Sequence, residues 1–202
     1  MIEKLAKNIY TYMSRHINVD AGLKDVYRYG IEITLSTILN VGLVMIGALL
    51  LGDPLGGLIY LICFVLLRSF CSGYHANSYF KCNCLMVVLY VISHFGGKFL
   101  IYYNLTNFRL MSVLLMLAFL PIYAFSPVKN KRKSLSESKT KKNRALSIII
   151  YILLSLLGLY LISYKLLYGS IIIITLIEIS VMILIEILKQ RRHNDENSEN
   201  SR

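Results

Sequence analysis

Apolar residues run along this chain in long blocks separated by short polar interruptions. The first thirty residues are the exception. There Ile2, Leu5, Ala6, Ile9, Met13 and Ile17 recur at helical spacing among Lys4, Lys7, Arg15, Lys24 and Arg28, which predicts an amphipathic helix. Such a stripe suits a membrane surface or the protein's own loops equally well. The stretch lacks an apolar core ending in a small-residue cleavage site, so no signal peptide is expected. From Ile33 to Gly52, twenty residues pass without a charge, enough to cross a hydrocarbon core of ~30 Å. Asp53-Pro54 breaks that run. Further apolar runs follow at Leu55–Leu67, Cys82–Phe95, Leu110–Phe125, Ala145–Ile162 and Tyr168–Leu188. The second and third reach only about 20 Å as helices, so tilted spans, extended ends or a re-entrant hairpin stay open.

The expected fold is therefore all-α and polytopic, with about six apolar runs in one membrane-embedded domain over residues 1–190. Residues 1–30 form an interfacial region, 68–84 and 126–144 are polar segments, and 191–202 are a polar tail expected to be disordered. Composition agrees: 56% of residues are hydrophobic and 16% charged, against ~25% charged in an average soluble domain. Disorder of the whole chain, a collagen-like repeat and a disulfide-rich secreted scaffold are excluded.

The net charge of +11 changes the picture further. A basic balance can signal nucleic acid, but these charges sit between apolar runs, which favours anionic lipid headgroups and an acidic peptide. Lys and Arg in alternate inter-run regions divide nineteen against three. By the positive-inside rule, both termini and the 68–84 and 126–144 segments are expected in the cytoplasm.

Candidate chemistry lies in residues 68–84, Arg-Ser-Phe-Cys-Ser-Gly-Tyr-His-Ala-Asn-Ser-Tyr-Phe-Lys-Cys-Asn-Cys. Histidine and cysteine together are the ingredients of an activated thiol nucleophile, and Arg68 or Lys81 would favour its anion. Spacing does not rank the cysteines. His75 and Cys71 are helical neighbours. His75 and Cys82 would lie about 10.5 Å apart along one straight helix and need a bend, for which Ser72-Gly73 and Asn77-Ser78 are suited. Cys71, His75, Cys82 and Cys84 also offer four ligands for a tetrahedral metal, at an uncommon spacing. A third reading, a small transporter, rests on Glu178 in the middle of the sixth run. An ionisable group there costs on the order of 3 kcal/mol and should face protein.

The segment resembles the accessory gene regulator B family, membrane cysteine endopeptidases of Gram-positive bacteria that process the precursor of a cyclic quorum-sensing peptide. Arg68, Gly73, His75 and Cys82 stand at the family's spacings. Tyr29-Gly30-Ile31-Glu32 is similar to its motif before the first span, and Ala124-Phe125-Ser126-Pro127-Val128-Lys129-Asn130-Lys131 to its exit from the fourth. Tyr74 stands where members often carry a second small residue, and Cys71 and Cys84 lie outside the pattern.

The resemblance implies catalysis by Cys82 with His75 as general base, supported by Arg68 and Gly73, with no cofactor and no metal. Asn77 is a candidate oxyanion donor. Lys129, Lys131, Arg132 and Lys133 are candidates for docking an acidic precursor. The implied partners are that pro-peptide and the lipids of the cell membrane, with no nucleic acid; a homodimer stays open.

Overall fold

The structure, a computed structural model, describes residues 2–16, 24–71, 79–128 and 137–199. It is all-helical: α1 (Ile2–His16), α2 (Lys24–Leu50), α3 (Pro54–Cys71), α4 (Tyr79–Tyr102), α5 (Phe108–Phe125), α6 (Glu137–Ser163) and α7 (Leu167–Glu199). Helices α2 to α7 each contain a stretch long and apolar enough to cross a membrane.

Local chemistry sets the helix ends. Gly52 adopts φ 71°, the left-handed conformation that stops α2. Pro54 then occupies the first position of α3, where its missing N–H costs nothing. The Asp53 Oδ1 caps that helix by accepting from Gly56 N at 2.9 Å. Asn107 does the same for α5, accepting from Arg109 N at 2.9 Å.

Of the alternatives left open for the second and third runs, the helices show extended ends. Helix α3 extends past Arg68 to Cys71, eighteen residues or about 27 Å. Helix α4 continues through Gly96-Gly97-Lys98 to Tyr102, twenty-four residues or about 36 Å. Both are spanning lengths. Glycine does not end α4 because it is needed for packing: at Gly97 a Cβ would press on Leu167 and Ser170 of α7. Likewise the tail expected to be disordered is helical as far as Glu199, as a continuation of α7.

Helix α7 is the central post and packs on α3, α4, α5 and α6. Its buried surface runs through Ile171, Ile172, Ile173, Leu176, Ile179 and Ile183. Helix α2 presents Glu32, Ser36, Val44 and Ala48 to its neighbours at a four-residue repeat and leaves Ile38, Ile46 and Leu49 outside. Interhelical hydrogen bonds add direction where apolar contact gives none. The Tyr151 hydroxyl donates to Leu115 O at 2.7 Å, Tyr60 to Met86 O at 3.2 Å, and Ser180 to Ala118 O. The amphipathic α1 lies against α2, burying Ala6 and half-burying Ile9 and Met13. An open cleft of about 430 Å³ between them is lined by Ile9, Val26, Tyr27, Gly30, Ile31, Thr34 and Leu35.

Candidate active site at the junction of α3 and α4

Two helix ends build this site. The buried side of α3 carries Tyr60, Phe64, Leu67 and Cys71, and Arg68 stands at its rim. The buried stripe of α4 carries Asn83, Met86, Tyr90, Ser93, His94 and Gly97, with Cys82 beside its first member. The two meet so that Arg68 Nη2 lies 4.0 Å from Cys82 Sγ. The guanidinium also covers the Phe64 ring, 5.3 Å from its centroid, which limits where it can swing.

The four cysteines differ in surroundings, which spacing alone did not reveal. Cys63 is buried in the α3 core. Cys71 is buried with its thiol against the hydroxyls of Ser126 and Ser147. Cys84 is exposed, and Cys82 is half-buried beside Arg68. Only Cys82 among them therefore combines partial access with a contacting cation, as a reactive thiol requires. Cys71, the helical neighbour of His75 in sequence, is turned instead towards Ser126 and Ser147.

His75, Gly73 and Asn77 fall in residues 72–78, outside the described residues, as do Lys129, Lys131, Arg132 and Lys133. Among the described residues no three His, Cys, Asp or Glu side chains gather as metal ligands. In sequence His75 stands four residues from both Cys71 and Tyr79.

The floor of the site comes from the segment after α5. Val128 N donates to Cys71 O at 3.0 Å, closing the end of α3. Ser126 N donates to Ile122 O, and its hydroxyl lies 2.8 Å from that of Ser147 on α6. Beside it, a groove of about 360 Å³ is bordered by Phe125, Pro127, Lys141, Arg144, Ile187 and Gln190. Arg144 is spent partly on Tyr123, whose carbonyl it reaches at 3.0 Å. On the other flank, Ser36 of α2 donates to the buried Asn83 Oδ1 at 3.2 Å. One turn below, Glu32 pairs with Arg28 at 3.1 Å.

A profile of the accessory gene regulator B family matches residues 3–185, nearly the whole chain. The chain belongs to the accessory gene regulator B family. An AgrB-like protein of Clostridium perfringens is 28% identical over 169 residues, which cover 80% of this chain and 78% of that one. Another, of Lactiplantibacillus plantarum, is 28% identical over 188 residues, 91% and 90% of the two chains. No solved structure matches. Family membership assigns the protein a role in the accessory gene regulator system, which signals cell density, and the six apolar helices fit a multi-pass membrane protein.

Two parts of the site were not singled out in the sequence. Ser36 and Asn83 read there as ordinary polar residues of apolar runs. Only α2 packing on α4 brings them together, across forty-seven positions. Ser147 reads as one hydroxyl in the fifth run, and its contact with Ser126 is equally non-local.

Proposed function

We propose that the protein is a membrane cysteine endopeptidase that cleaves a quorum-sensing pro-peptide and supports its cyclisation. The Arg68 to Cys82 contact carries the reading, because it places a fixed cation against a half-buried thiol where the His75 segment joins the two helices. Cys82 attacks a peptide carbonyl as its thiolate, with His75 taking the proton. The C-terminal part of the precursor then leaves as an amine that receives the proton from His75. The remainder stays as a thioester on Cys82. An internal cysteine or serine of the precursor attacks that thioester, closes the ring and returns the thiol to Cys82.

Exchange of one thioester for another is close to balanced in energy, so the enzyme has mainly to exclude water and hold the inner nucleophile near. Asn77 and backbone N–H groups near Gly73 are the candidate donors to the oxyanion. Lys129, Lys131, Arg132 and Lys133 attract an acidic part of the precursor to this end of the bundle. The charge asymmetry between alternate inter-helix regions supports a cytoplasmic position for this end and for both termini.

Co-expression with a cognate precursor tests the reading. Cys82→Ala and His75→Ala should each reduce cleavage by about a thousandfold or more, while Cys63→Ala leaves it near wild type. Normal processing by Cys82→Ala would rule the mechanism out.

A further inference from the structure

Glu178 lies in the middle of α7, 8% exposed, inside the junction of α3, α4 and α7. The Ser93 hydroxyl of α4 faces its carboxyl, and Tyr60 of α3 lies within electrostatic reach of both Glu178 and Arg68. Ser93 in turn lies 3.4 Å from Thr175, one turn along α7. Towards the opposite end of the bundle from Cys82, His94 follows Ser93 directly. Its side chain is wholly buried, and its Nδ1 is 3.2 Å from Oδ2 of Asp53, which is 13% exposed at the α2 to α3 turn. Tyr90 packs on His94 with ring centroids 6.0 Å apart, and on Tyr60 at 5.4 Å. The buried Tyr90 hydroxyl, His94 Nε2, Ser170 hydroxyl and both carboxyl oxygens of Glu178 have no hydrogen-bond partner among the described residues.

Buried polar groups thus recur along one stretch of the bundle, from Asp53 with His94, past Ser93 with Thr175, to Glu178 near Tyr60. Buried polar groups are ordinarily satisfied, since each one left unpaired carries a desolvation penalty. Several of them on one interface mark a place that handles a polar species. Ionisable groups inside a membrane bundle have that role by default. The surroundings favour a proton over a larger ion. The groups that face Glu178 are Tyr60 on α3 and Ser93 on α4, with Tyr90, His94 and Lys98 further along α4 and Arg68 further along α3. Helix α5 turns Leu115 and Ala118 inward, and Tyr151 of α6 is committed to the Leu115 carbonyl. Among the described residues no second carboxylate gathers with Glu178 to share a metal cation, whereas His94 and the hydroxyls can each accept and donate one proton.

We propose that Glu178 is an intramembrane proton-binding site reached from the Asp53 end of the bundle through His94. Protonation on that side then sets the charge of the carboxyl at the crossing of α3, α4 and α7. Those helices carry Arg68 and Cys82 at the other end, so the site links the reactive end to the pH across the membrane. The proton is the only species that moves; it leaves solvent at Asp53 and arrives on Glu178.

Dicyclohexylcarbodiimide modifies protonated carboxyl groups in apolar surroundings, and it tests the proposal without reference to peptide cleavage. The full-length protein is placed in vesicles of known sidedness, with pH fixed at the Cys82 face and varied at the Asp53 face. The adduct on Glu178 is read by peptide mass spectrometry, with Glu178→Gln as the blank. Labelling should fall about tenfold or more as the Asp53-face pH rises from about 6 to about 10. His94→Gln should abolish that dependence, and Lys98→Gln should retain it. A Glu178 that stays unlabelled, or whose labelling follows only the pH of the Cys82 face or that of neither face, overturns the proposal; this wild-type measurement decides even if His94→Gln fails to fold.

Discussion

Arg68 is asked to do two things at once, and its contacts show how. Its guanidinium is laid on Phe64 at 5.3 Å and its Nη2 reaches Cys82 Sγ at 4.0 Å, so the ring orients the cation and the cation faces the sulfur. A charge held near a thiol favours the thiolate, which is the nucleophilic form. Arg68→Gln keeps length and hydrogen-bonding capacity but removes the charge. It should slow alkylation of Cys82 by iodoacetamide at neutral pH about three- to tenfold, read by mass spectrometry in detergent. Arg68→Lys should recover part of the rate, because a point charge remains while the planar fork and its stacking are lost. An unchanged rate in Arg68→Gln would reduce Arg68 to an anchor. At this scale the sequence was informative only with the family pattern beside it. Residue spacing alone left Cys71 and Cys82 as equal candidates. What separates them is the burial of Cys71 under Ser126 and Ser147, contacts set by the packing of α3 on α6 and the segment after α5.

At the level of elements, the position of Cys82 depends on the rotational setting of the first turns of α4. That setting is pinned by Asn83, 3% exposed, whose Oδ1 accepts from Ser36 of α2. Truncating one partner leaves the other buried without a bond, which costs about 1–3 kcal/mol, whereas replacing both by apolar groups is close to neutral. Asn83→Ala and Ser36→Ala should therefore each lower the thermal midpoint in detergent, and the Ser36→Ala/Asn83→Leu double variant should recover most of it. If the bond also aims Cys82, the recovered double variant should still alkylate Cys82 and cleave precursor about threefold or more slowly, since stability returns but the directional constraint does not. Equal stability of all the variants would leave the bond without a structural role. The helices themselves were legible from charge-free runs, but two of their ends were not. Gly96-Gly97 read as a stop because glycine weakens helices, yet in α4 the missing side chain admits α7. Arg68 read as the end of the second run because charge leaves hydrocarbon, yet α3 continues one turn to Cys71, where Val128 N closes it.

Across the whole molecule, charge is arranged by end. The Asp53 turn carries no Lys or Arg, the Leu105 to Arg109 region carries one, and the segment Ser126 to Arg144 carries eight. If that asymmetry sets orientation, single cysteines at Glu137 and Thr106, placed in a background from which the native ones are removed, should differ. A membrane-impermeant reagent applied to intact cells should label Thr106→Cys and spare Glu137→Cys; the reverse pattern would put the Cys82 end outside. The same asymmetry bears on how substrate arrives. Lys141 and Arg144 border a groove at the Cys82 end, and Lys129, Lys131, Arg132 and Lys133 precede it in the chain. Exposed charges of one sign raise the local concentration of an oppositely charged peptide without touching the reacting atoms. Neutralising the four residues together with glutamine should raise the precursor concentration for half-maximal cleavage about tenfold at low salt. The rate on saturating precursor should stay within about twofold, because Cys82 and His75 are unaltered. Added salt should close the gap between variant and wild type, since charges more than ~8–10 Å apart are screened at physiological ionic strength. Cleavage against precursor concentration in proteoliposomes, at two salt levels and with insertion verified by the labelling above, measures all three effects. If these side chains serve only to orient the protein, the variant misinserts or is degraded, and the correctly inserted fraction shows the wild-type concentration dependence at both salt levels.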